Sequence, residues 1–415
     1  MLSGLTNSNT PDVVILLIIK QLKRCCCDED LVQLLLSKQL LRPLVEHLRS
    51  DVSVSSEVVT TLVSLSDTGP GLTALMSGDV RSQLSEVSGH GSVEQMRVLE
   101  LMVRLAQLSG DHCAAVSDAG YISTLVTLLN TDDFLLTLNS VELLSQLVIT
   151  VQGHKCLEKT GVMTKLGTML QNASNTPFSD ILLPGLVKFW GNVAHLTPGH
   201  VLNTYPEIIP TLINMISSQD TTHQTVALET VGYIGVSLEG KTALNSLGNV
   251  MLDCVDKIGD IIRDSVTELK ITGLNTLSSL LKLDPDHQSR DMLLLTETWF
   301  NHINNMEQMM VSMVKTPFLD LRLAVYQLML VVSGQGWGRR VVLGQPGLCE
   351  YLLDRSNERD AGARHERWRL MKSLVESRMT KEMLGPELDT LIREFVNLGP
   401  HHVQVESQVA YEEQQ

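Results

Sequence analysis

The sequence predicts an all-α fold: a right-handed α-solenoid of the HEAT or armadillo kind with about ten helical repeats. Residues 115–129 align with residues 156–170, which puts Gly120 in register with Gly161, 41 residues later. Apolar residues recur mostly at the i, i+3, i+4, i+7 spacing of helices. The chain is 43% hydrophobic but only 4% aromatic, a composition suited to packing helix on helix.

The repeat explains the order of elements along the chain. Two helices joined by a short turn precede a final helix, and the pattern of the final helix returns near Leu72, Tyr205 and Gly347. Glycine can adopt the positive φ that ends one helix and lets the next begin. We therefore expect inter-helix turns at four glycine-containing tripeptides. They are Ser109–Asp111, Gln152–His154, Glu239–Lys241 and Gln335–Trp337.

The first helix should begin at Thr10 and Pro11, because threonine is a good N-cap and proline is tolerated in the first turn. The apolar run that follows, Val13–Ile19, is too short to cross a bilayer. Basic residues come after this apolar run, whereas in a signal peptide they come before it. We interpret the run as part of a buried helix.

The domain organisation follows from how solenoids grow. They lengthen by stacking and need no division into domains, so residues 1–398 are predicted to form one solenoid. Two polar stretches, Gln171–Pro177 and Asp284–Ser289, are predicted loops between helices. Helical periodicity is lost after Leu398, and residues 399–415 are expected to be a mobile C-terminal tail.

The charge balance limits the class of partner. With 47 acidic and 32 basic residues the net charge is −15, which disfavours nucleic acids and anionic membranes and favours basic partners. The cysteines show neither disulfide-framework nor zinc spacing, which indicates a reducing compartment. They are Cys25, Cys26, Cys27, Cys113, Cys156, Cys254 and Cys349.

One segment matches a sequence motif found in nucleotide-binding enzymes. Residues Gly235–Thr242 satisfy the phosphate-loop pattern G-x-x-x-x-G-K-[ST] in full. That chemistry needs a loop leaving a β-strand and entering a helix, but the preceding residues, 222–234, have helical spacing. The segment also coincides with a predicted inter-helix turn of the repeat. A nucleotide-binding enzyme is therefore the least favoured hypothesis.

Other candidate sites have structural explanations. Met306, Met309, Met310 and Met313 share one helical face and are interpreted as core, although a methionine-lined groove is the alternative. A basic run is interpreted as a solvated, salt-bridged face; it contains Arg355, Arg359, Arg364, Arg367, Arg369 and Lys372. The histidines considered lie outside metal motifs: His112, His154, His223, His287, His401 and His402. We predict no catalytic, cofactor or metal site.

Several sequence segments resemble those of a known family. Residues 183–192 (LPGLVKFWGN), 215–220 (MISSQD) and 231–235 (VGYIG) resemble the family of non-ATPase regulatory subunit 5 of the 26S proteasome. So do residues 293–300 (LLLTETWF), 316–318 (TPF) and 351–356 (YLLDRS). The resemblance is dense from about residue 180 to 356, looser from 90 to 180, and weak before that.

The resemblance implies a cytosolic and nuclear chaperone without catalytic residues. It would assemble the base of the proteasome regulatory particle. Members of the family are expected to hold the C-terminal domain of one AAA ATPase subunit on a solenoid, alongside other base subunits, and to act by steric occupancy. Family members carry a longer leader, so the N-terminus of this chain is expected to be shortened or diverged.

An alternative keeps the fold and changes the partner. An armadillo-type scaffold or transport adaptor for basic peptides would also suit the acidic chain. Such adaptors use a ladder of Trp and Asn in successive repeats, and the four tryptophans here, Trp190, Trp299, Trp337 and Trp368, do not form one.

Overall fold

The computed structural model describes residues 2–7, 10–37, 39–173, 178–376 and 378–402. Over these ranges the chain consists of helices and turns and contains no strand, so the predicted all-α class is confirmed. It divides into two compact units, an N-terminal unit of residues 1–196 and a C-terminal unit of residues 197–415. Each unit is a stack of short helices. The prediction of one domain over residues 1–398 stays a prediction.

The N-terminal unit contains helices α1 to α14. They are α1 (Leu2–Thr6), α2 (Asp12–Cys25), α3 (Glu29–Ser37), α4 (Leu41–Glu46), α5 (Val52–Ser66), α6 (Gly69–Leu75), α7 (Gly78–Ser88), α8 (Ser92–Ala106), α9 (Gly110–Asp118), α10 (Tyr121–Leu128), α11 (Phe134–Leu147), α12 (Val151–Glu158), α13 (Val162–Asn172) and α14 (Ser179–Leu196).

The C-terminal unit contains helices α15 to α27. They are α15 (Pro198–Thr204), α16 (Ile208–Ile216), α17 (Thr221–Ile234), α18 (Leu238–Ser246), α19 (Asn249–Asp264), α20 (Thr267–Leu281), α21 (Arg290–His302), α22 (Met306–Met313), α23 (Leu319–Ser333), α24 (Gly336–Leu343), α25 (Leu348–Leu353), α26 (Ala361–Val375) and α27 (Arg378–Leu398). Helix α27 is kinked at Gly385, whose φ of 76° is not helical.

The repeating unit is one long helix followed by further helices, which are shorter except for α19 (16 residues) and the kinked α27 (21 residues). The long helices have 14 to 18 residues: α5, α8, α11 and α14 in the N-terminal unit, and α17, α20, α23 and α26 in the C-terminal unit. Within each unit every long helix packs against the next one in sequence. Such nearest-neighbour stacking defines a solenoid, and the three-helix unit is the armadillo arrangement.

Local capping sets where these helices begin. An aspartate starts four of the long helices, with its carboxylate accepting a backbone N–H of the first turn: Asp51, Asp133, Asp220 and Asp360. A serine or threonine does the same for five of the second helices: Thr68, Ser109, Thr150, Ser237 and Ser289. Each cap satisfies a donor that the helix leaves unpaired and contributes about 1 kcal/mol.

The glycines that define the 41-residue register adopt the predicted conformation. Gly120 and Gly161 have φ of 87° and 70° and precede the third helices α10 and α13. Gly347, with φ of 72°, precedes α25 in the same way. At the corresponding place before α22 stands Asn305, with φ of 58°. A left-handed residue thus stands before the third helix in these four repeats, whereas Ser77 before α7 and Glu207 before α16 have negative φ.

The other predicted glycine turns are wrong. Gly110, Gly153, Gly240 and Gly336 all lie in the first turns of helices α9, α12, α18 and α24. Those helices begin earlier than predicted because Ser109, Thr150 and Ser237 cap three of them. A different constraint keeps glycine at Gly153 and Gly240. A Cβ there would lie 1.9 Å and 1.8 Å from the carbonyl oxygens of Leu147 and Ile234.

The chain ends and loops follow the predictions only in part, because α1 precedes the predicted first helix and Pro11, not Thr10, is the N-cap of α2. Helix α2 begins at Asp12 with Pro11 as its N-cap, and within the apolar run only Ile15 and Ile19 are buried. No helix among the described residues is long and apolar enough to cross a membrane. Residues Pro285–His287 form a 3-10 turn in the second predicted loop, whereas the first loop falls partly on residues outside the described ranges. Helix α27 ends at Leu398, and residues 403–415 of the predicted tail also lie outside them.

Candidate functional site

The long helices of each unit leave one face uncovered by other helices of the repeat. Their apolar residues, such as Leu101 and Leu105 of α8 or Leu277 and Leu280 of α20, are turned inward and fully buried. Each such side chain contributes about 1.5–3 kcal/mol through burial. The opposite face carries shallow grooves between adjacent long helices.

In the N-terminal unit a groove of about 440 Å³ lies between α8 and α11. Its walls include two exposed apolar side chains, Val93 and Leu135, which are 57% and 65% exposed. Asp133, Glu100 and Glu142 line the same groove. An apolar floor with acidic edges is suited to a protein segment that carries both apolar and basic residues.

The single arginine that lines this groove, Arg97, forms hydrogen bonds with backbone carbonyl groups. Arg97 donates from Nη1 to the carbonyl oxygens of Leu48 and Ser50, both at 2.7 Å. Glu142 accepts a hydrogen bond from Gln146, and Gln146 in turn accepts one from Gln107 of the preceding repeat through its carbonyl, at 2.6 Å. These bonds fix the polar edges of the groove and leave its charge negative.

In the C-terminal unit a groove of about 400 Å³ lies between α20 and α23 and reaches α26. Ile271 and Leu323 supply its apolar part, and Asp320 and Glu366 its acidic part. No basic side chain of the described residues lines it. The two units therefore present the same chemistry on equivalent helices, which is what a binding surface built by repetition would show.

The phosphate-loop-like segment is a helix-to-helix junction. Gly235 ends α17, Ser237 caps α18, and Gly240 and Lys241 lie in the first turn of α18. Lys241 is fully buried, and its ammonium donates to three carbonyl oxygens: Gly235, Val236 at 3.1 Å, and Ser279 of α20 at 3.1 Å. All three of its donors are used, so the side chain joins two neighbouring repeats and is not free to hold a phosphate.

Burial lowers the pKa of Lys241. Desolvation lowers the pKa of Lys241 from 10.5 to about 8, against a smaller opposing effect of Asp284. Between these two pH values the unfolded chain binds more protons than the folded chain. The contribution of Lys241 to stability therefore rises as the pH increases from about 8 to about 10.5.

We expect Lys241→Met to lower the free energy of unfolding by about 1–3 kcal/mol, because it leaves three buried carbonyl oxygens without their shared donor. The deficit relative to the unchanged chain should widen between pH 8 and pH 10. Denaturant unfolding of the full chain, followed by circular dichroism, measures both. The control is Lys282→Met, which removes an exposed lysine from the end of α20 and should change stability by less than about 0.5 kcal/mol.

The same variant tests nucleotide binding. Mg-ATP should leave the melting temperature of the unchanged chain where it is, because Lys241 has no free donor. Ligand at a hundredfold excess over its Kd would stabilise a binding protein by about 2.7 kcal/mol. A saturable rise in melting temperature that disappears in Lys241→Met would contradict the structural role.

The methionine face of α22 is core, as predicted. Met306, Met310 and Met313 are buried, and Met309 is half-buried. The basic run is only partly the predicted solvated face. Arg369 fits the prediction, because it is 45% exposed and pairs with Glu366 at 2.9 Å. For Arg367 the prediction is wrong, since this residue is 1% exposed.

The histidines considered at first serve packing where they are buried. His112 of α9 contacts the carbonyl oxygen of Ser66 at 2.6 Å and the hydroxyl of Ser109 at 2.7 Å. It thereby ties the second helix of one repeat to the long helix of the repeat before. Over the described ranges, no group of three or more histidine, cysteine or acidic side chains could hold a metal ion.

Two features are not predicted from the sequence. One is the pair of exposed apolar side chains at Val93 and Leu135, which stand at the start of two long helices. The other is a thiol pair. The thiol of Cys113 in α9 donates to the carbonyl oxygen of Gln152 at 3.7 Å, and its interaction with Cys156 of α12 lowers the pKa of Cys156 and raises that of Cys113. Their separation in sequence, close to the repeat length, is the signal that could have revealed the pair.

Comparison with known proteins identifies the family. The sequence pattern of the family described as "Proteasome non-ATPase 26S subunit" matches residues 1–415. The protein named 26S proteasome non-ATPase regulatory subunit 5 from Homo sapiens is 30% identical over 405 residues, which cover 97% of this chain and 80% of that protein. Its counterpart from Bos taurus is also 30% identical, over 99% of this chain and 82% of that protein. The one from Drosophila melanogaster is 24% identical over 82% of this chain and 66% of that protein.

A solved structure supports the fold. An engineered protein of known crystal structure superposes with a TM-score of 0.52 over 95% of this chain and 96% of its own. At 13% sequence identity the likeness concerns the fold alone. Because the family pattern covers the whole chain and relatives at 30% identity match nearly all of it, the chain belongs to the family of the proteasome non-ATPase 26S subunit.

Proposed function

We propose that this chain is a noncatalytic chaperone that helps to assemble the base of the proteasome regulatory particle. The observation that carries the proposal is the family match over residues 1–415, together with relatives that are named as regulatory subunit 5 of the 26S proteasome. The client would be the C-terminal domain of one AAA ATPase subunit. Other base subunits would join the same assembly intermediate.

The surfaces of the two units support a protein client. Both grooves combine apolar side chains with acidic ones, and the net charge of the chain is −15. A client segment with apolar residues flanked by lysine or arginine would bury the apolar contacts and be drawn to the acidic edges. Val93 and Leu135 would lie at the centre of such a contact in the N-terminal unit.

The proposed mechanism is steric occupancy through differential binding. A chaperone changes an assembly equilibrium only by the difference between its affinities for the two states. It should therefore bind the isolated ATPase subunit more tightly than the same subunit in the completed particle. Occupying the ATPase domain would delay premature contacts until neighbouring subunits displace the chaperone.

A noncatalytic role is supported by the one enzyme-like motif. The lysine of that motif is fully buried on three carbonyl oxygens, as expected of a structural residue. The seven cysteines are free thiols, which supports the proposal of a cytosolic and nuclear location, where thiols stay reduced.

The direct test is binding of the full chain to the purified C-terminal domain of each proteasomal ATPase. We expect one of them to bind and the others to bind much more weakly. The same domain should bind less tightly when it is already part of an assembled ATPase ring. Failure of every domain to bind would contradict the proposal. Binding of a basic peptide in the absence of any ATPase interaction would favour the adaptor alternative.

Two variants locate the surface. Leu135→Glu places a charge in the N-terminal groove and should weaken binding roughly tenfold or more, since it removes apolar area and opposes burial. Leu294→Glu is the matched control. Leu294 is 62% exposed on α21, outside both grooves, so its replacement should leave affinity unchanged. If both variants bind as the unchanged chain does, the client lies elsewhere, and the proposed function stands on the first test alone.

A further inference from the structure

A cavity of about 600 Å³ lies at the C-terminal end of the C-terminal unit. One wall is formed by α26 and by the 3-10 turn Arg355–Asn357, and the other by the last turns of α27. Three arginines line it: Arg355, Arg364 and Arg367. Three apolar side chains of α27 also line it, Leu391, Phe395 and Leu398. The cavity thus combines cationic and apolar side chains.

Backbone carbonyl groups hold the three arginines in place. Arg355 donates to the carbonyl oxygens of Phe395 at 2.8 Å and Gly399 at 2.9 Å, and its guanidinium lies 4.2 Å from the centre of the Phe395 ring. Arg364 donates from Nε to the carbonyl oxygen of Glu358 at 2.8 Å. Arg367 donates from Nη1 to the carbonyl oxygen of Asp354 at 2.9 Å. Neutral acceptors orient the side chains without cancelling their charge.

Neighbouring arginines of the same helices are paired, which makes these three unusual. Arg369 pairs with Glu366 and Arg393 with Asp389. In the described part of the chain, no carboxylate lies within 4.0 Å of the guanidinium nitrogens of the three cavity arginines. Glu358, the buried carboxylate nearest in sequence, is instead bound to Arg322 at 2.9 Å.

Two acidic residues, Asp354 and Glu394, also line the cavity. Asp354 is engaged with Ser356, whose backbone N–H and hydroxyl donate to its carboxylate at 2.9 Å and 2.7 Å. Glu394 is exposed at the edge of the cavity. The cavity therefore keeps an excess of positive charge close to its wall.

Arg367 is the most deeply buried of the three cavity arginines. It is 1% exposed, and its Nε has no hydrogen-bond acceptor among the described residues. Burial lowers the pKa of Arg367, and burial followed by repulsion from Arg364 lowers that of Arg355. A buried guanidinium with no carboxylate in contact is costly, so an anionic ligand near it would stabilise the folded protein.

We propose that this cavity binds the C-terminal carboxylate of a peptide whose last side chain is apolar. The guanidinium groups of Arg355 and Arg364, which are partly exposed, would receive the carboxylate, since their planar donors match its two oxygens, and the buried Arg367 would add positive charge behind them. Leu391, Phe395 and Leu398 would contact the terminal side chain. The apolar wall favours this ligand over inorganic phosphate, which is hydrated on every side. The inference does not depend on the proposed chaperone function.

The test uses the full chain and a fluorescent pentapeptide that ends in leucine with a free carboxylate. Fluorescence anisotropy should show saturable binding that weakens with added salt. The same peptide with a C-terminal amide should bind at least about tenfold more weakly, because it lacks the charge that the arginines receive. Inorganic phosphate should compete poorly.

Variants on both walls connect binding to the cavity. Arg364→Gln removes a half-exposed guanidinium, and Leu391→Glu adds a negative charge at a half-exposed position of the apolar wall. Each should weaken binding about tenfold or more. Arg369→Gln, on the same helix but paired with Glu366, is the control and should bind normally.

Three results would overturn the proposal. They are equal affinity for the acid and the amide, unchanged affinity in both Arg364→Gln and Leu391→Glu, and competition by phosphate as strong as by the free acid peptide. Both cavity variants replace side chains that are at least partly exposed, so circular dichroism should show them folded. A loss of binding with normal folding then reports on the cavity and not on stability.

Discussion

Replacing Gly240 with alanine should destabilise the protein by about 3 kcal/mol or more, one of the largest effects expected from adding a methyl group to this chain. A Cβ at this position would lie 1.8 Å from the carbonyl oxygen of Ile234 and 2.9 Å from its carbonyl carbon. Both are backbone atoms of α17, so no side-chain rotation can relieve the overlap. Helices α17 and α18 would have to move apart.

The effect should recur wherever the second helix of a repeat approaches the long helix this closely. Gly71, Gly153 and Gly338 face the carbonyl oxygens of Leu65, Leu147 and Val332 at 1.9 Å, 1.9 Å and 2.1 Å. In all four cases the glycine follows the residue that supplies the carbonyl by six positions. Amide hydrogen exchange should show faster exchange in α17 and α18 of Gly240→Ala, near the separated contact.

Gly199→Ala is the matched control. Gly199 also lies in the first turn of a short helix, α15, but a Cβ there meets no atom within 4 Å. Alanine should leave stability unchanged or raise it by about 0.4–1 kcal/mol through a less flexible unfolded chain. Denaturant midpoints of the two variants measure the difference. Equal midpoints would show that the close approach at Gly240 does not constrain the fold.

These glycines show what the sequence can and cannot predict. Gly120 and Gly161 were correctly placed in turns, because a positive φ is a local requirement that recurs with the repeat. Gly153 and Gly240 have the same local appearance, beside polar residues between two apolar patterns. At these two positions glycine is required because a carbonyl group of the preceding helix lies too close to leave room for a Cβ. Only the packed structure reveals this contact. The repeat is therefore predictable, while the reason for each glycine is not.

The charged residues differ from expectation for a related reason. The sequence placed Lys241 in an ordinary turn and Arg367 on a solvated face, yet both are buried. The ammonium group of Lys241 donates one of its hydrogen bonds to the carbonyl oxygen of Ser279, 38 residues away. The cavity arginines come together only because α26, α27 and a 3-10 turn converge. Periodicity identifies the buried face of a helix from its apolar residues but does not identify a buried cation.

Arg322→Met should lower the free energy of unfolding by about 3–5 kcal/mol, because it leaves a buried carboxylate without its cation and with the backbone N–H groups of Arg359 and Asp360 as its remaining donors. Glu358 is only 2% exposed, and its two oxygens receive Nε and Nη2 of Arg322, both at 2.9 Å. Arg322 also donates from Nη1 to the carbonyl oxygen of Thr316 at 3.0 Å. Methionine keeps the length of the side chain but removes every donor. The change should be visible as a lower denaturant midpoint of the full chain.

A double-mutant cycle separates the ion pair from the packing of the arginine stem. Glu358→Gln in the Arg322→Met background should recover part of the loss, since a buried amide costs less than a buried carboxylate. The surface pair provides the comparison. Arg369→Met breaks a contact of the same length, 2.9 Å, to Glu366, but this pair is exposed to water and should cost at most about 1 kcal/mol. If the two arginine variants lose equal stability, burial of Glu358 does not determine the strength of the pair, and the contact joining α23 to the turn before α26 is no stronger than a surface ion pair.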